Sequence, residues 1–161
     1  MNAEPLLNKI AKVFHKVRLD AIMIGNAAAA LHGAPVTTLD IDFMFRKTPV
    51  NLKKLKKIAD EFDAYILKPY YPVSSLLRVI NDDIGMQLDF MSVVHGVRSF
   101  ESLKSDATEA DFNGCKIRIA SLQKIIRSKK VLGRSRDLAV IAILEQTLNE
   151  IDEKKPQKRV K

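Results

Sequence analysis

The sequence has one cysteine, six glycines and six prolines among 161 residues, and no long apolar run. Each scarcity excludes something. A single thiol, Cys115, forms no internal disulfide, and one cysteine does not make a zinc site. No stretch is rich enough in glycine, proline or serine to act as a linker, and no internal repeat is visible. The most apolar segment, Ala21 to Leu31, is interrupted by Gly25 and Asn26. It falls short of the roughly 20 residues that a membrane span requires. The N-terminal Met1-Asn2-Ala3-Glu4-Pro5 lacks the basic start and continuous apolar core of a signal peptide. These absences predict a cytoplasmic protein with no membrane association.

What is present is the composition of a folded domain, 47% apolar and 29% charged, with a net charge of +8. The charge is uneven. Five positive residues and no negative ones lie between Lys154 and Lys161, which leaves the rest of the chain only mildly basic. The expected organisation is one domain over residues 1–152 and a basic, disordered tail over 153–161. Such a tail can touch nucleic-acid phosphates, although a solvated tail is its simpler meaning.

Hydrophobic spacing supplies the elements. Leu6, Leu7, Ile10, Val13, Phe14 and Val17 recur at helical intervals. Ala21 to Ile24 reads as a buried strand ending at Gly25, and the alanines that follow favour helix until His32-Gly33-Ala34-Pro35 stops it. Thr38 to Phe45 reads as a strand, and a lysine-rich helix follows from about Val50 to Phe62. Leu76 to Ile80 and Ile84 to Met91 flank Asn81-Asp82-Asp83 as a hairpin. Asp111 to Ile119 makes another around Asn113-Gly114. Ser121 caps a helix ending at Gly133, and a last helix runs from about Arg136 to Ile151. The fold class expected is α+β, a mixed sheet with helices packed on it.

Three carboxylates stand out. In Thr38-Leu39-Asp40-Ile41-Asp42-Phe43, strand alternation puts Asp40 and Asp42 on one face while Leu39, Ile41 and Phe43 turn to the core. Two acids side by side repel unless a positive group lies between them. A hard divalent cation with oxygen ligands meets that need. A bare Asp-x-Asp more often marks a solvated edge, but this one sits in apolar surroundings where carboxylates are costly. Asp89 is a further acid inside an apolar strand, Met86 to Met91. Gly25-Asn26 falls at a strand-to-helix junction, where backbone N–H groups can approach a phosphate.

The order Ile24-Gly25-Asn26-Ala27, His32-Gly33, Thr38-Leu39-Asp40-Ile41-Asp42 resembles the nucleotidyltransferase superfamily, which shares the DNA polymerase beta-type core. The closing segment, with Ser121-Leu122-Gln123, Lys129 and Gly133-Arg134-Ser135-Arg136-Asp137-Leu138, is similar to that of small prokaryotic members, some of them toxins of toxin–antitoxin pairs. The resemblance spans about Leu19 to Leu148. It implies that Asp40, Asp42 and Asp89 are catalytic and ligate two Mg²⁺ or Mn²⁺ ions about 4 Å apart. Asp89 would also take the proton of the attacking hydroxyl, Gly25, Asn26 and Lys129 would bind the triphosphate, and Asp137 would orient Lys129 or cap the last helix. The implied activity moves an NMP from an NTP, ATP included, to a hydroxyl of RNA, tRNA among the candidates, of protein or of a small molecule, with pyrophosphate released. An antitoxin-like or acceptor-binding protein would be a partner.

Two positions depart from the family pattern. Asn26 replaces its second small residue, and Val36 stands where an arginine is frequent. These departures leave a second reading open, a nucleotide-binding module on the same fold without turnover. A third reading is a basic RNA-binding protein whose acids are structural. His32 reads as a helix-end residue that satisfies backbone, Cys115 as core, and Lys53, Lys54, Lys56 and Lys57 as a solvated helix face.

Overall fold

The computed structural model describes residues 4–38, 40–68 and 76–155. The helices are α1 (Glu4–Val17), α2 (Gly25–Leu31), α3 (Pro49–Glu61), α4 (Phe100–Ser105), α5 (Leu122–Leu132) and α6 (Ser135–Glu153). The strands are β1 (Ala21–Ile24), β2 (Ile41–Phe45), β3 (Tyr65–Leu67), β4 (Leu77–Asn81), β5 (Met86–Met91), β6 (Thr108–Phe112) and β7 (Cys115–Ile119). All seven strands form one sheet in the order β3-β4-β5-β2-β1-β7-β6. It is mixed, with β1/β7 and β2/β5 parallel and the other neighbours antiparallel. The fold is thus α+β, as expected.

Aromatic packing fixes the core on one face of the sheet. Phe43 of β2 and Phe90 of β5 stack with centroids 5.3 Å apart, and Phe14 of α1 meets Phe43 edge-on at 4.9 Å. Both Phe43 and Phe90 are fully buried. Strand alternation therefore turns their neighbours Asp42 and Asp89 to the opposite face. Helix α1 packs on α3 over the aromatic face, while α2 packs on β1, β2 and α5.

Local signals explain most boundaries. The Ser121 hydroxyl accepts the Lys124 N–H at 3.3 Å to start α5, and Gly133 ends it in the left-handed region at φ 60°. Asn113 and Gly114 both have positive φ between β6 and β7, the requirement of the tight hairpin turn that their sequence predicts. His32 closes α2, and its Nε2 lies 2.7 Å from the Ala120 carbonyl oxygen, so it serves the backbone as expected. Cys115 is only partly buried, at the start of β7.

The second strand is shorter than its sequence suggests. It starts at Ile41, because its partner β1 ends at Ile24, which faces Asp42. Asp40 lies just outside the ladder, its backbone N–H held by the Thr38 hydroxyl at 3.2 Å. Leu39, expected to face the core, lies outside the described residues, as do residues 156–161 of the basic tail. Helix α6 runs through Glu153, so the first residue assigned to the tail is helical. Strand β3 and helix α4 were not expected from the sequence. Among the described residues, no helix is long and apolar enough to cross a membrane.

Candidate active site

The chain comes together around the end of β1. There β1 gives way directly to α2, and Gly25, the first residue of the helix, has φ 70°. A Cβ at this position would lie 2.8 Å from Asp42 Oδ2. Glycine is required twice over here, by backbone conformation and by the carboxylate beside it. Ile24 supplies no side-chain cap to α2. Asn26 turns inward, and its Oδ1 is buried with no hydrogen-bond partner. An orphaned buried oxygen of this kind costs about 1–3 kcal/mol.

Register then builds a row across the sheet. Ile24 faces Asp42, Asp42 faces Asp89, and Asp89 faces Arg78. Paired positions on neighbouring strands present their side chains on the same face. Gly25, Asn26, Asp40, Asp42, Arg78, Asp89, Lys129, Arg134, Arg136 and Asp137 all line one cleft of about 930 Å³. Every residue expected to act in catalysis or phosphate binding is therefore brought to a single surface.

The charges within it are unequal. Burial pushes the Asp42 carboxyl up to about 6, reinforced by the negative charges of Asp89 and Asp40 and opposed by Lys129 and Arg78. Asp89, 5% exposed, accepts two hydrogen bonds from one guanidinium: Arg78 Nε donates to Oδ1 at 2.8 Å and Nη2 to Oδ2 at 3.2 Å. Gln87, two residues away on the same face of β5, also donates to Asp89 Oδ2 at 3.2 Å. The Arg78 guanidinium is held above its ordinary value by its hydrogen bond to Asp89, with the charges of Asp40 and Asp42 adding to it.

Across the cleft, Asp137 in the first turn of α6 is 2% exposed and is held below the usual carboxylate range by its hydrogen bond from Arg134. Arg134 Nε donates to it at 2.6 Å and Nη2 at 3.1 Å, and Lys129 Nζ lies 3.8 Å away. Asp137 thus both occupies the helix start and fixes two cations. Burial lowers the Lys129 ammonium, while Asp137 and Asp42 pull it upward. Arg136 is exposed and makes no ion pair among the described residues.

The donor set suits a divalent metal in its chemistry. Asp40, Asp42 and Asp89 line one cleft, a buried amide oxygen has no partner, and the Asp42 carboxyl, raised first by burial, is raised further by its acidic neighbours, a repulsion that a bound cation relieves. The geometry is less complete. Among the described residues, no group of three or more His, Cys, Asp or Glu is gathered closely enough to hold an ion. In addition, both oxygens of Asp89 already accept hydrogen bonds from Arg78. Sequence reasoning missed Arg78, although its signal was of the same kind as that of Asp89: a charged residue inside the apolar run Leu76 to Ile80.

A smaller pocket of about 450 Å³ lies at the other end of β1, lined by Arg18, Asp20 and Arg118 among others. Of its two carboxylates, Glu109 pairs with Lys116 at 3.7 Å, and Asp20 is already committed. Burial would raise it, but a hydrogen bond from Lys104 and the charges of Arg118, Lys104 and Arg46 hold it below its ordinary value. The larger cleft is the one that gathers the candidate site residues.

The sequence pattern of a family described as nucleotidyl transferase of unknown function (DUF2204) matches residues 4–161. No curated protein matches the sequence. Among solved structures, ANT(2'')-Ia in complex with adenylyl-2''-tobramycin shares the fold with a TM-score of 0.63 at 16% identity, covering 92% of this chain and 90% of that one. The lincosamide antibiotic adenylyltransferase LnuA, lincomycin-bound, gives 0.61 at 14% identity, covering 89% and 97%. The Thermotoga maritima protein TM1012 gives 0.59 at 20% identity, covering 91% and 92%.

Proposed function

Since the chain belongs to this nucleotidyl transferase family and is an enzyme of that class, we propose that it transfers an NMP from a metal-bound NTP to an acceptor hydroxyl in the cleft between α2, β5 and α5. The observation that carries this reading is the cross-strand row of Asp42 and Asp89 beside Gly25, whose missing side chain leaves room against Asp42.

In this reading Asp40 and Asp42 hold Mg²⁺ or Mn²⁺, with Asp89 as a third ligand. The ion, when bound, supplies positive charge to the triphosphate and to the departing pyrophosphate. The chain's own groups do the rest. The N–H groups of Gly25 and Asn26 meet phosphate oxygens. The orphaned Asn26 Oδ1, which only accepts, would take a substrate hydroxyl or the bound cation as its partner. Lys129, held by Asp137, neutralises phosphate charge, and Arg136 adds a second cation at the open side. The acceptor oxygen forms a bond to the α-phosphorus as the bond to the bridging β-phosphate oxygen breaks. Pyrophosphate leaves, and the hydroxyl proton passes to Asp89.

ANT(2'')-Ia is an antibiotic-resistance factor and LnuA a lincosamide antibiotic adenylyltransferase, which supports the small-molecule hydroxyl among the candidate acceptors, RNA, protein and small molecule. The test incubates the protein with each α-labelled NTP and Mg²⁺ or Mn²⁺, together with total RNA, cell protein or a panel of hydroxylated antibiotics. Label carried onto one of these classes identifies the acceptor. Metal-dependent NTP binding without label on any of them would instead favour the binding module that the Asn26 and Val36 substitutions suggest.

A further inference from the structure

Asp89 differs from Asp40 and Asp42, which line the cleft beside it. The Arg78 guanidinium spans both of its oxygens, and Gln87 reaches them from the same strand. Asp40 and Asp42 form no ion pair among the described residues, and both line the same cleft. A guanidinium keeps its charge throughout the physiological range. A fixed cation therefore already stands where a divalent ion would touch Asp89.

The placement is built in rather than incidental. Arg78 and Asp89 are direct partners in the antiparallel β4–β5 ladder, so the backbone register sets their pairing. The short turn Asp82–Ile84, with Gly85 in the left-handed conformation at φ 64°, fixes that register. Asp89 is nearly inaccessible while Arg78 is partly exposed, its side chain 28% open. The arginine therefore has somewhere to go and the carboxylate does not.

On the metal-NTP reading of the site, we infer that Arg78 is a positioning residue that competes with metal for Asp89. The nucleotide-free cleft takes a divalent ion on Asp40 and Asp42, and Asp89 joins only as Arg78 releases an oxygen to it. The incoming triphosphate favours that exchange, because it offers the freed guanidinium a new anionic partner in the same cleft. Arg78 thereby couples complete metal binding to the presence of substrate.

The experiment titrates Mn²⁺ into the full chain without nucleotide, reading free Mn²⁺ by electron paramagnetic resonance. Wild type, Arg78→Gln, Arg78→Lys and Asp42→Asn run in parallel. Removing the competing charge makes Arg78→Gln bind Mn²⁺ at least about tenfold more tightly, whereas Arg78→Lys, which keeps it, stays within about threefold of wild type. Thermal unfolding gives an independent readout. In EDTA the Gln variant unfolds at lower temperature than wild type, since Asp89 is stranded, and Mn²⁺ raises its Tm by more than it raises that of wild type.

Should the Gln variant fail to fold, the Arg78 Nε–H resonance in the wild-type chain, assigned by its loss in Arg78→Lys, reads the same exchange. It moves when Mg²⁺ and a non-hydrolysable NTP are added together. Mn²⁺ affinity unchanged or weaker in Arg78→Gln, or an Nε–H resonance indifferent to Mg²⁺-NTP, overturns the inference and leaves Arg78 a structural counter-ion. Failure of the metal reading itself looks different: wild type and Arg78→Gln would both bind no Mn²⁺, which overturns the two together.

Discussion

Asp42 and Asp89 are direct partners across the parallel β2–β5 ladder, and Arg78 is the next residue in the same row. A half-buried acid, a buried acid and one arginine are thus aligned by backbone hydrogen bonding, with the arginine bound to the second acid only. Asp42 keeps the unrelieved charge, and its carboxyl rises to about 6 through burial first and through Asp89 and Asp40 next.

That imbalance has a pH signature in the metal-free protein. The folded chain holds the Asp42 proton to higher pH than the unfolded chain, whose carboxyl sits near 3.8. This group therefore costs stability as pH rises from about 4 to 6, and the cost is complete above that window. In EDTA at pH 8, Asp42→Asn is more stable than wild type by on the order of 2 kcal/mol, and at pH 4 the two unfold alike. Urea unfolding at the two pH values checks it. Equal stability at both would remove the electrostatic strain from the account.

Gly25→Ala places a methyl against Asp42 Oδ2 at a φ that only glycine adopts readily. The variant loses about 1–2 kcal/mol in denaturant unfolding. NTP binding falls with it, because the displaced carboxylate and the start of α2 move together. Alanine tolerated without loss of either property would mean that the close approach has no functional weight.

Much of this site was legible in the sequence, and the reasons are physical. A carboxylate within an apolar strand is costly enough to be conspicuous, so Asp42 and Asp89 stood out from Asp82 and Asp83 in the turn. Gly25 at a strand-to-helix junction and Ser121 before an amphipathic run carry local signals that need no tertiary knowledge. Arg78 was less legible, because its meaning depends on register. The pattern around Asn81-Asp82-Asp83 announces a hairpin, but only the turn geometry ending at Gly85 decides that residue 78 faces 89. Strand β3 has three residues with an exposed-intermediate-exposed pattern and carries little periodicity to read. The exposure of Leu138 on α6, at 60%, likewise depends on which face of the helix meets α5.

Lys129 and Asp137 separate binding from stability. Lys129→Met leaves Asp137 paired with Arg134, so the fold survives while kcat/KM for the NTP falls by roughly 10–100-fold. Asp137→Ala leaves the largely covered Lys129 without its carboxylate partner, while Arg134 is exposed and stays solvated, and costs about 1.5–3 kcal/mol. Steady-state kinetics on the first variant and thermal unfolding of the second make the comparison.

Arg136 is exposed, lines the cleft and has no ion-pair partner among the described residues. Arg136→Ala changes stability by no more than about 0.5 kcal/mol. It raises the Kd for the NTP and reduces the salt dependence of binding, both measured by calorimetric titration at two ionic strengths. Unchanged affinity would place this arginine outside the nucleotide's reach.

The most direct measurement compares α-labelled with γ-labelled NTP in the presence of Mg²⁺ or Mn²⁺ and an acceptor mixture, with Asp40→Asn and Asp42→Asn beside wild type. The account predicts stable incorporation of the α-label alone, stoichiometric release of pyrophosphate, and loss of both in the two variants. Incorporation of the γ-label, or α-label transfer that persists in both variants, would contradict it.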